Sequence, residues 1–207
     1  MPSDQLLAEI CSRAYTMTPT WQAADAHVCR FVAAGAIILA WRGTDPRSLA
    51  DWLHDLDAVP AEDAALGCCH AGFLRDMQAV APPIMDALAR AKPSVPIVVT
   101  GHSKGAAEAL LFSAFLCASG RTPAKVVTFG SPRIGLLNTR LPALLAGVEG
   151  SDFRHGADPV PDLPLGFTHP RVLTQLGLAG PDALADHSIL AYRAALAAGP
   201  HAPGATS

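Results

Sequence analysis

The segment that most constrains this chain runs from Val95 to Phe129. Val95 to Thr100 is a short run rich in β-branched residues. Gly105 to Ala118 would be apolar on almost every side as a helix, and Lys125 to Phe129 reads as a buried strand ending in Gly130-Ser131-Pro132. Strand, helix and strand in that order form a right-handed parallel crossover. This predicts an α/β fold with a central, mostly parallel sheet and helices on both faces. Only Gly101-His102-Ser103-Lys104-Gly105 marks the passage from strand to helix. A turn that tight drives the flanking side chains into backbone, so glycine is required on both sides of a strained serine. Ala106 and Ala107 then let the helix sit close to the sheet.

The remaining pattern fits around that unit. Gln5 to Tyr15 carries a helical apolar stripe behind Asp4, a candidate cap. Ala26–Ala33 and Ala36–Arg42 flank Ala34-Gly35 as a hairpin. From Asp45 to Leu56 the apolar residues Leu49, Trp52, Leu53 and Leu56 recur at helical spacing, with Asp51, His54 and Asp55 opposite. Ala58 to Gly67 reads as an irregular connection. Phe73 to Ala91 reads as helical, interrupted at Pro82-Pro83 with a second helix starting near Pro83. Phe153 to His155 is a further strand candidate, and Leu184 to Ala198 the last helix. With 207 residues, 50% of them hydrophobic and 16% charged, the chain can build one core. Residues 1–198 are therefore expected to form a single domain and 199–207 a frayed tail.

Charge and composition exclude several roles. A net charge of -3 with scattered Lys and Arg gives no basis for nucleic-acid binding. The most apolar run, Phe31 to Trp41, falls far short of the ~20 residues that span a bilayer, so no transmembrane segment is expected. Met1-Pro2-Ser3-Asp4-Gln5 shows no basic start followed by an apolar stretch, so the chain as given carries no secretory signal and reads as cytoplasmic or unassigned. Cys11, Cys29, Cys68, Cys69 and Cys117 lack CxxC spacing and read as free thiols, although the vicinal Cys68-Cys69 also suits redox chemistry or a soft metal. The eight histidines show no HExxH or other ligand spacing, so neither metal nor cofactor is expected.

The strained turn also carries chemistry. It lifts a serine hydroxyl clear of the sheet and sets the Lys104 N–H, at a helix start, where it would face a developing oxyanion. A serine attacks only if a base takes its proton, and the base needs an orienting carboxylate. In hydrolase folds of this kind the order is Ser, acid, His. His187, at a loop-to-helix position, is favoured as base, with His169 and His155 as competitors and His201 set aside in the tail. Asp158, held extended before Pro159, is favoured as acid over Asp152, Asp162 and Asp182.

Several segments together resemble the lipase class 3, or fungal-lipase-like, family of the α/β-hydrolases. They are Trp41-Arg42-Gly43-Thr44, Asp51 to Leu56, His70-Ala71-Gly72-Phe73, Val99 to Ser103, Val126 to Gly135, Asp158 to Pro164 and Asp186-His187-Ser188, in the family's order and spread over about residues 5–198. The resemblance implies Ser103, Asp158 and His187 as triad, and Thr44 with the Lys104 N–H as oxyanion hole. It also implies a lid bearing Leu49, Trp52, Leu53 and Leu56 that opens at a lipid surface; the competing reading is an ordinary surface helix with its apolar face on the core. The implied reaction is hydrolysis of acyl esters, lipids included, through an acyl-enzyme. An acyltransferase or amidase would use the same residues, and a silent binding protein could keep the fold. Lys104 and Ala106 depart from the leucine and further glycine usual in the family.

Overall fold

The computed structural model describes residues 1–45, 48–54 and 56–199, without the side chains of Ala50 and Leu53. Its strands are β1 (Trp21–Ala23), β2 (Ala26–Ala33), β3 (Ala36–Arg42), β4 (Pro60–Asp63), β5 (Gly67–His70), β6 (Ile97–His102), β7 (Lys125–Phe129), β8 (Asp152–His155) and β9 (Leu173–Leu176). Its helices are α1 (Asp4–Ala14), α2 (Leu49–His54), α3 (Ala71–Ala89), α4 (Lys104–Ala118), α5 (Leu141–Leu145), α6 (Ala183–Asp186) and α7 (Ile189–Ala198).

The main sheet has the order β1-β2-β3-β6-β7-β8-β9. Its first two pairings are antiparallel and the four from β3 to β9 are parallel. The β2–β3 hairpin closes through Ala34 at φ 49° and Gly35 at φ 73°, the left-handed pair that matches strand twist in a two-residue turn. Alternation along β3 then divides the core. Ile37, Leu39 and Trp41 pack with α3, α4 and α5, while Ala36, Ile38 and Ala40 pack with α1 and α7. The expected mostly parallel sheet covered on both faces is present.

Several local expectations are corrected. Ser3, not Asp4, caps α1 by accepting from the Leu6 N–H, and Asp4 instead pairs with Lys125 at 2.7 Å. Residues 58–67 are not irregular throughout, because β4 and β5 form a hairpin. Its turn is held by the Asp63 carboxylate, which accepts from the Ala65 and Leu66 N–H groups. Pro82 and Pro83 do not interrupt α3. Both prolines and the residues whose carbonyls they leave unbonded, Gln78 and Ala79, are exposed, so water can serve those carbonyls. Met77, Val80, Ala81, Ile84 and Leu88 stay buried on the other side. The last helix is split instead, where Ser188 adopts an extended backbone and caps α7 through its hydroxyl. Among the described residues no helix is long and apolar enough to cross a membrane. Apart from Gly199, the expected tail lies outside the described residues.

Candidate active site

Ser103 sits between β6 and α4 at φ 59° and ψ −133°, a conformation costly for any residue with a side chain. Its N–H donates to the Phe129 carbonyl at 2.9 Å, which ties the turn to β7. The turn needs its glycines: a Cβ on Gly101 would lie 2.4 Å from the Gly105 carbonyl oxygen, and one on Gly105 2.3 Å from that of Trp41. Parallel strands thus bring the serine to the C-terminal edge of the sheet, where the loops after β7 and β8 converge.

At that edge His187 and Asp158 meet. Nδ1 of His187 lies 2.9 and 2.8 Å from the two Asp158 carboxylate oxygens. Asp158, fully buried, also accepts from the Tyr192 hydroxyl at 2.5 Å and from the Val160 N–H at 2.9 Å. Burial pushes its pKa up, but the bonds from His187, Tyr192 and Val160 outweigh that, so the carboxyl titrates below its ordinary value. Gly130, at φ 59°, leaves β7 beneath this pair. A Cβ there would come within 2.8 Å of the Asp158 carboxylate and 3.0 Å of the His187 ring. Ser103 is 1% and His187 2% exposed, yet Ser103 Oγ and His187 Nε2 have no hydrogen-bond partner among the described residues.

The competing residues are engaged elsewhere. His155 faces Asp186, and His169 Nε2 lies 2.7 Å from the Pro161 carbonyl oxygen. Asp152 is held by Arg171 and Thr128, Asp162 by Arg154 and Arg133, and Asp182 caps α6. Thr44 lies two residues past β3 and lines a cavity of about 830 Å³ together with Lys104, Trp52, Leu56, His70 and Phe73. The Lys104 ammonium is turned away from Ser103 into the α3–α4 interface. It lies 3.0 Å from Asp76, 3.2 Å from Glu108 and 2.9 Å from the Asp25 carbonyl oxygen. Burial raises the Glu108 pKa to about 8, against the opposing pull of Lys104.

The lid candidates are only partly brought together. α2 is six residues long, shorter than the expected Asp45–Leu56 run, of which Pro46, Arg47 and Asp55 lie outside the described residues. Trp52 and Leu56 pack on the α3 side of the core, and the Trp52 ring lies 6.3 Å from that of Phe73. Leu49 is half-buried, and the Leu53 side chain lies outside the described residues. Gly130 reads in the sequence only as the turn that closes a strand, and no motif points to Tyr192. The one clue to Tyr192 is that a phenol on an apolar helix face needs a buried partner.

A family model described as lipase (class 3) matches residues 38–168, more than half the chain. The chain belongs to the class 3 lipases. A secreted mono- and diacylglycerol lipase 1 of Fusarium solani is 34% identical over 154 residues, covering 70% of this chain and 45% of its own length. A lipase of Rhizopus niveus is 30% identical over 172 residues, covering 76% and 43%. This class 3 chain thus spans less than half the length of these curated relatives. The triacylglyceride lipase structure of Rhizomucor miehei superimposes with a TM-score of 0.68 at 22% identity, over 86% of this chain and 78% of that one. That likeness establishes the α/β-hydrolase fold. The cytoplasmic reading is corrected by the names of the relatives, since those from Fusarium solani, Penicillium and Gibberella zeae are called secreted.

Proposed function

We propose that this chain hydrolyses carboxylic esters of lipids through an acyl-enzyme on Ser103. The observation that carries the reading is the pair of buried atoms Ser103 Oγ and His187 Nε2, which have no hydrogen-bond partner among the described residues, with Nδ1 of the same imidazole held by Asp158. An uncompensated buried polar atom costs about 1–3 kcal/mol, and a serine hydroxyl and the nitrogen of an oriented base both left so fit atoms kept free for a reaction.

In this reading Oγ bonds to the ester carbonyl carbon as its proton passes to His187 Nε2. Asp158 fixes the Nδ1–H tautomer and steadies the imidazolium. Thr44 and the Lys104 N–H receive the oxyanion. The proton then goes to the departing alkoxide, and a water activated by the same imidazole releases the fatty acid. Trp52, Leu56 and Phe73 give the adjoining cavity an apolar wall suited to an acyl chain. The mono- and diacylglycerol lipases among the relatives support lipid esters as substrates and an extracellular setting. Residues 1–198 act as one hydrolase unit, and the α2 segment serves as a lid at a lipid surface. Ser103→Ala is expected to lower kcat on p-nitrophenyl esters by at least about 10⁴-fold with the fold unchanged by circular dichroism. Turnover within tenfold of the parent would defeat the assignment.

A further inference from the structure

The geometry points to Tyr15 and His102 as positioning residues that hold the strand end carrying Thr44 and the peptide of His187 in fixed register with Ser103. This rests on the reading of Ser103 and His187 given above. Tyr15 caps the C-terminus of α1, outside the stretch matched to the family. His102 is the last residue of β6 and is 5% exposed. The Tyr15 hydroxyl lies 2.6 Å from His102 Nδ1, and His102 Nε2 lies 2.7 Å from the His187 carbonyl oxygen. On its other side the hydroxyl packs closely on Gly43, where a Cβ would stand 2.6 Å from it.

One end of this chain fixes its direction. The His187 carbonyl can only accept, and a neutral imidazole has a single N–H to give. Tyr15 must therefore donate to Nδ1, and His102 must carry its single proton on Nε2. A protonated His102 would donate from both nitrogens and reverse the Tyr15 bond. Burial favours the neutral ring and pushes its pKa down to about 3. The imidazoles of His102 and His187 are 4.7 Å apart, so a neutral His102 also adds no repulsion when His187 takes up the serine proton. Two hydrogen bonds and the close contact of the Tyr15 hydroxyl with Gly43 thus join the oxyanion side to the base side through a residue next to the nucleophile.

The test compares Tyr15→Phe, His102→Leu and His102→Gln with the parent, on a soluble p-nitrophenyl ester and by the rate of fluorophosphonate labelling. A glutamine amide presents an acceptor and a donor about as far apart as the two ring nitrogens, so it can rebuild both bonds. Tyr15→Phe and His102→Leu are expected to lower kcat and labelling rate by about 10- to 100-fold with KM within about twofold, and His102→Gln to recover to within about threefold of the parent. Unchanged kcat in Tyr15→Phe would overturn the inference. So would a glutamine variant as poor as the leucine one, or losses confined to KM. Tyr15→Phe removes one oxygen atom and decides the matter even if His102→Leu does not fold. If the parent itself is not labelled at Ser103, the nucleophile reading fails; if it is labelled and the variants react at the parental rate, this inference fails alone.

Discussion

Gly130 shows at residue scale how little free space the site contains. Its φ of 59° and the contacts a Cβ would make with Asp158 and His187 both exclude a side chain. Gly130→Ala is therefore expected to displace the Asp–His pair by several tenths of an ångström and lower kcat about 100-fold with little change in KM, read by steady-state kinetics. An alanine variant with parental kcat would show that the site tolerates the shift. Gly101, Ser103 and Gly105 were legible in the sequence because the turn they build is local. Asp158 and His187 were legible through their order and surrounding motifs, although competitors stood beside each. Tyr192 was not, because its contact with Asp158 spans 34 positions. Tyr15 and His102 lie 87 positions apart, and nothing local to either names the other.

At the scale of elements, the strands from Ala26 to Arg42 and from Lys125 to Phe129 have the bounds their sequences indicate, since their apolar runs are closed by turn residues. The expectations that failed were those where tertiary packing overrides local preference. The buried face of α3 carries it through two prolines, and an aspartate turn folds residues 60–70 into a hairpin. Lys104, which departs from the family pattern, has its side chain drawn into α3 and α4 by Asp76 and Glu108, which leaves only its N–H for the oxyanion role proposed above. The α2 segment is tied down just beyond its end: the His70 ring nitrogen Nε2 lies 2.6 Å from the Asp57 carbonyl oxygen, and the Ala71 N–H donates to that of Val59. A segment with Trp52 and Leu56 against the core and Asp51 and His54 outward suits a lid that turns its apolar side to a lipid surface. Hydrolysis of a short-chain triacylglycerol is expected to rise sharply as the substrate passes its solubility limit. A smooth saturation curve through that limit would remove the lid role.

Over the whole molecule, the parallel strands deliver Ser103, Gly130 and Asp158 to one edge of the sheet, and α7 closes over them with Tyr192. The crossover unit in the sequence implied that edge. The cavity beside it was not foreseeable, because it is bounded by segments as far apart as Asp25, Trp52 and Lys104. This chain spans less than half the length of those curated relatives, and the residues proposed for chemistry all lie within it. The most direct measurement is labelling of the intact chain with a fluorophosphonate, followed by mass spectrometry of its peptides. The account predicts one adduct on Ser103, absent from Ser103→Ala and strongly slowed in His187→Ala. An unlabelled chain, or an adduct on another residue that persists in Ser103→Ala, would contradict it.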